Sequence, residues 1–167
     1  MFLWKSRYYV LTMEHDHRVV RLARTAEPFA SAQDIASSFG EVMQALNRLG
    51  SAKLGLLFVD ESSRSDIALE EALRLNRLGR ARLGLLVDVR HGPSRNDPEF
   101  EDSLREARRP IFDGFRCVAI LVKTETGKLQ IQRYHREDGA PARVFDDEAA
   151  ALAYLDSAAP SSRRPPA

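Results

Sequence analysis

Residues 46–60 read LNRLGSAKLGLLFVD and residues 75–88 read LNRLGRARLGLLVD. The two stretches are near copies, with Leu46 and Leu75 standing 29 residues apart in equivalent places. Each opens as the end of a helix, stops at a glycine (Gly50, Gly79), and passes through a short basic turn into an apolar run that closes on an aspartate. Glycine just past a helix end supplies the left-handed residue that many helix caps need. A continuous apolar run such as LGLLVD suits a parallel strand covered on both faces rather than the alternating strand of a half-exposed sheet. The chain therefore states helix, turn, strand twice, and predicts an α/β fold: a mixed open sheet with parallel central strands and helices packed on it.

On the amino-terminal side, RYYVLTM (7–13) and RVVRLAR (18–24) are β-branched and aromatic runs parted by the polar cluster Glu14, His15, Asp16 and His17, which reads as a hairpin. Ser31 opens a helix with Asp34 three residues on, a capping-box arrangement, and Ile35, Phe39, Val42, Leu46 and Leu49 form one apolar face. After the first copy, ESSRSD (61–66) leads into a second helix at about 67–78. After the second copy comes the loop RHGPSRNDPEFE. Within it Asp97 and Pro98 read as N-cap and first position of a third helix that Pro110 stops. RCVAILVKT (116–124) is a strand, LQIQRYH (129–135) reads as its antiparallel partner across the turn TETGK, and AAALAYL forms a short last helix behind Phe145 and Asp146. The predicted order is ββαβαβαββα in a single domain over 1–156, with PSSRRPPA and its neighbours (157–167) a disordered tail.

Composition narrows the function classes. The chain has 167 residues, ample for a core without disulfide or metal staples, and a formal net charge of +1, which points to neither nucleic acid nor an anionic membrane. No run approaches the roughly 20 apolar residues of a membrane span. The single cysteine, Cys117, lies inside FRCVAILV and reads as a buried strand thiol, so a cytoplasmic location is expected. No cofactor motif is present.

In FVDESSRSDIALEEAL (58–73) an acid and a serine pair stand just before a helix. With the surrounding element order, this resembles the STAS fold of sulfate-transporter and anti-sigma-factor antagonist domains, including the SpoIIAA-like group. The resemblance implies a non-enzymatic regulatory domain that works through a protein partner. Asp60, Ser62 and Ser63 fall at the corresponding places, where a partner kinase would phosphorylate serine, and Arg64 stands where the family carries glycine. The residues themselves allow the plainer alternative that these serines cap the helix and shape the turn.

Three other groups carry alternatives. Asp60 and Asp88, if their strands are neighbours, form a carboxylate pair for Mg²⁺, or else are turn aspartates. Arg90, His91, Arg95, Asn96, Asp97 and Glu99 form the densest polar cluster at the strands' carboxyl edge, with Asp88 beside it. That cluster suits a small-molecule or anion site or a partner surface, or is simply a helix start. Trp4, Tyr8 and Tyr9 suggest either an exposed aromatic edge, fit for a homodimer or partner, or packing beneath the last helix. The repeat itself reads as an integral β–α unit, although deleting residues 47–75 leaves QALNRLGRARLGLLVDVR, an unbroken helix-to-strand passage.

Overall fold

In the computed structural model the described residues are 1–14, 18–48, 82–93, 98–138 and 142–157. They form a six-stranded mixed sheet in the order β1-β2-β3-β4-β5-β6, with helices on both faces. The strands are β1 (Phe2–Lys5), β2 (Tyr9–Glu14), β3 (Val19–Arg24), β4 (Gly84–Asp88), β5 (Cys117–Leu121) and β6 (Ala142–Phe145). The helices are α1 (Ala32–Arg48), α2 (Pro98–Phe112), α3 (Glu125–Asp138) and α4 (Glu148–Ser157). β1, β2 and β3 pair antiparallel, and β3 through β6 pair parallel, as the apolar runs require.

Because strand order equals chain order, every parallel step moves the same way across the sheet. Right-handed crossovers that all move one way leave their helices on one face. Ile35, Phe39, Val42 and Leu46 of α1 accordingly share a core with Ile111 and Phe112 of α2, and Ile131 of α3 packs on it. That core also holds Val20, Leu22, Leu85, Val87, Val118 and Ile120 from the strands. Among the described helices only α4 lies on the other face, where Ala151 and Leu155 meet Val19, Leu86, Cys117, Ala119 and Leu121. Ser31 caps α1 as expected, its Oγ accepting from Asp34 N–H at 3.2 Å, while Asp34 Oδ2 reaches one residue beyond the cap and accepts from Ala30 N–H at 3.1 Å.

Several expectations are corrected. LQIQRYH is not a strand but part of α3. Thr124 caps that helix, its Oγ1 accepting from Gly127 N–H at 3.1 Å, and a cap plus one apolar residue facing the core outweighs a short alternating pattern. The outer partner of β5 is instead β6. Pro110 sits inside α2, which ends two residues later, and Gly114 at φ 92° makes the turn. Tyr8 and Tyr9 are neither exposed nor under the last helix. They are buried on the α1 side against Phe29 and Phe39, and Trp4 packs on the same core. β4 pairs with β3 on one edge and β5 on the other, and Asp60, expected to form a carboxylate pair with Asp88, lies outside the described residues. The strand expected at 54–60 and the helix expected at 67–78 lie outside the described residues.

Candidate site at the carboxyl edge of β4

Alternation along β4 puts Gly84, Leu86 and Asp88 on the α4 face. Asp88 is 2% exposed, and a carboxylate so deep needs partners. Two arginines supply them. Arg90, just past the strand, forks onto the carboxylate: Nε donates to Oδ1 at 2.9 Å and Nη2 to Oδ2 at 2.6 Å, while its backbone N–H donates to Oδ1 at 3.2 Å. Arg21, in the middle of β3 on the same face, donates from Nη1 to Oδ2 at 2.9 Å. The cluster is closed by two outer acids. Arg21 Nε stands 2.8 Å from Glu14 Oε1 on β2, and Glu148 in the first turn of α4 accepts from Arg21 Nη2 and lies 2.8 Å from Arg90 Nη2.

Burial alone would push the Asp88 carboxyl up. The hydrogen bonds from Arg90 and the charges of Arg90 and Arg21 outweigh it and hold the group below the ordinary carboxylate range. Arg90 is raised, chiefly by its hydrogen bond to Asp88, and Glu148 is lowered, chiefly by its bond from Arg21. Three acids against two arginines leave no spare cation, so the pair does not present itself to a phosphate or carboxylate. Bidentate geometry of this kind is strong and directional. It spends Asp88 on fixing β3, β4 and α4 together.

The strand order has a second consequence. Open α/β sheets bind ligands where the order reverses and adjacent crossovers diverge to opposite faces. Here the order never reverses among the described strands, so no crevice of that origin opens beside Asp88. An open groove of about 670 Å³ lies between the β1–β2 turn and α1, lined by Trp4, Arg7, Asp34 and Glu41 among others. Of the residues expected for a site, Trp4 and Tyr8 line it, whereas Asp88 and Arg90 do not.

Of those residues, the structure places Asp88 and Arg90 together. Asp60, Ser62, Ser63, Arg64, Arg95, Asn96 and Asp97 lie outside the described residues, as do His15 and His17. His91 is exposed. Cys117 is buried and its thiol is pushed up by burial, as a structural thiol would be. Sequence reasoning missed Arg21, Glu14 and Glu148. A buried aspartate closing an apolar strand signals a cationic partner, but not which of the many arginines.

Among the described residues no three His, Cys, Asp or Glu side chains converge as metal ligands, and no helix is long and apolar enough to cross a membrane. No family model matches the chain, and neither curated proteins nor solved structures include a match.

Proposed function

We propose that this chain is a non-enzymatic regulatory domain of the STAS or SpoIIAA-like type, acting by contact with a protein partner through the loop that carries Asp60, Ser62, Ser63 and Arg64. The observation that favours a contact role is the state of Asp88. The acid at the carboxyl end of a central parallel strand is where α/β proteins commonly place chemistry, and here both its oxygens are occupied by four donors. The element order in the described residues, three antiparallel strands followed by alternating helices and parallel strands and a closing helix, is compatible with the same reading.

The switch is electrostatic. A phosphate on Ser62 or Ser63 adds nearly two negative charges beside Asp60 and Glu61 and repels or reorders the docked partner. Photo-crosslinking from positions 62 and 63 in cells, with Leu129 on α3 as an exposed reference, tests it. A protein adduct specific to positions 62 and 63, and weakened by Ser62→Asp or Ser63→Asp, is expected. Equal adducts from position 129, or none from 62 and 63, reject the contact loop. An adduct indifferent to the acidic substitutions rejects the switch.

A further inference from the structure

The seat that β4 occupies has two fixed points. At its amino end, a Cβ on Gly84 would lie 3.2 Å from Leu155 Cδ2 and 3.3 Å from Leu155 Cβ, so α4 rests on bare backbone. At its carboxyl end, Asp88 is the carboxylate that Arg21 and Arg90 share. Gly84 and Asp88 are four residues apart and face the same side of the sheet, with Leu85 and Leu86 wholly buried between them. The seat therefore favours glycine, three residues, then aspartate.

Residues 75–88 fit that spacing and residues 46–60 do not. The first copy carries one residue more, Phe58, so Gly55 and Asp60 are five apart. Aligned on Gly55, it would bring Val59 to the place of Asp88 and leave two arginines without their carboxylate. Aligned on Asp60, it would bring Leu56 to the place of Gly84, against Leu155, and Phe58 to the place of Leu86. A slip of one residue sends every side chain to the opposite face. Yet α1 ends on the first copy's own Leu46, Asn47 and Arg48. The sheet thus joins the helix end of one copy to the strand of the other.

We propose that the two copies address one seat in the sheet, that the glycine-to-aspartate spacing selects the second copy, and that one 29-residue unit is dispensable to the fold. Removing residues 47–75 joins Leu46 to Asn76 and restores LNR to the end of α1. Six residues, Leu78–Leu83, then connect the helix to β4. Helix-to-strand connections in such units commonly run about 2–6 residues. The inference is independent of the proposed function, whose serine loop falls inside the dispensable unit.

Three deletions tested by urea denaturation and near-ultraviolet circular dichroism against the full chain decide it. Deletion of 47–75 keeps the second strand and is expected to retain the native spectrum and a denaturation midpoint close to that of the full chain. Deletion of 61–88 keeps the first strand, LGLLFVD followed by Val89, and is expected to lower the midpoint markedly or abolish the transition. Removing Phe58 from that variant restores the spacing and is expected to restore the midpoint. If the 47–75 deletion does not fold, the unit is integral and dispensability is overturned. If the 61–88 deletion matches the 47–75 deletion, or loss of Phe58 does not rescue it, selection by spacing is overturned. Loss of the crosslinked partner with the fold intact would bear on the serine loop alone.

Discussion

Arg21 reaches across from the middle of β3 to Asp88 at the end of β4, its Nη1 donating to Oδ2 at 2.9 Å. The contact ties two neighbouring parallel strands through side chains, and Arg21 is itself bracketed by Glu14 and Glu148. Removing one partner of a buried ion pair costs far more than the pair contributes, because the survivor keeps its desolvation penalty. Asp88→Ala strands a half-buried Arg90 and a nearly buried Arg21, whose side chain is 13% exposed. The expected loss is about 3 kcal/mol, read as a lower urea midpoint with an unchanged slope. Arg90→Ala in the Asp88→Ala background should cost little more than Asp88→Ala alone. Additive losses would mean that the two residues do not act as a unit.

The same carboxylates set a pH dependence. Asp88 and Glu148 are both held below their ordinary values in the folded chain. A depressed folded pKa contributes stability that is present above the unfolded value, roughly 4 for these groups, and is lost as pH falls through the folded one. Stability should therefore be nearly flat between about pH 6 and 8 in this respect and decline below about pH 4. Asp88→Asn, which cannot titrate, should start lower and decline less steeply in acid. An equal acid slope in the two proteins would remove Asp88 as a source of the dependence.

The parts of this fold that announce themselves are those whose residues repeat at the period of their element. α1 does so through Ile35, Phe39, Val42 and Leu46, and the β2–β3 hairpin through Tyr9, Leu11 and Met13 set against Val20 and Leu22. β1 and β6 are four residues each and form the two margins of the sheet, so FLWK and ARVF show too little alternation to stand out. In LQIQRYH, Leu129 and Ile131 alternate as a strand would, yet Leu129 is 63% exposed and Ile131 packs on the core. Asp88 was legible as the odd polar end of an apolar run. Its partner Arg21, 67 residues away, was not, because alternation alone assigns an arginine in a hairpin strand to solvent.

Arg24 is buried, and among the described residues no carboxylate pairs with it. Its Nη1 donates to the Tyr8 carbonyl at 2.9 Å and its Nη2 to the Glu27 carbonyl at 2.6 Å, while the guanidinium lies 4.1 Å from the Phe29 ring centroid. Burial lowers its pKa, and the nearby tyrosine and Glu27 charges only partly oppose it. A lysine ammonium is a point charge on a flexible stem and cannot lie flat on Phe29 while bridging two carbonyls. Arg24→Lys is expected to destabilise by about 1–2 kcal/mol and Arg24→Ala by about 3, with a changed tyrosine signal in the near ultraviolet. A lysine variant within about 0.5 kcal/mol of the parent would show that charge alone, not the planar fork, is what the site uses.

Gly84 on β4 faces Leu155 of α4, and the fit has a direct chemical test. Alanine at position 84 would set its Cβ 3.2 Å from Leu155 Cδ2, and the leucine must give by a few tenths of an ångström to relieve the contact. Overpacking of this kind costs about 1–3 kcal/mol. Leu155→Ala alone empties a fully buried position and should cost about 2–5 kcal/mol. In the double variant the new methyl enters the space the leucine leaves, so the combined loss should fall short of the sum by 1 kcal/mol or more, as roughly expected for residues in contact. Because Arg116 Nη2 also donates to the Leu155 carbonyl, a backbone shift of α4 would disturb that bond as well. Strict additivity would mean that α4 moves as a whole in the single Gly84→Ala variant. The glycine would then be a requirement of the helix's position rather than of one side chain.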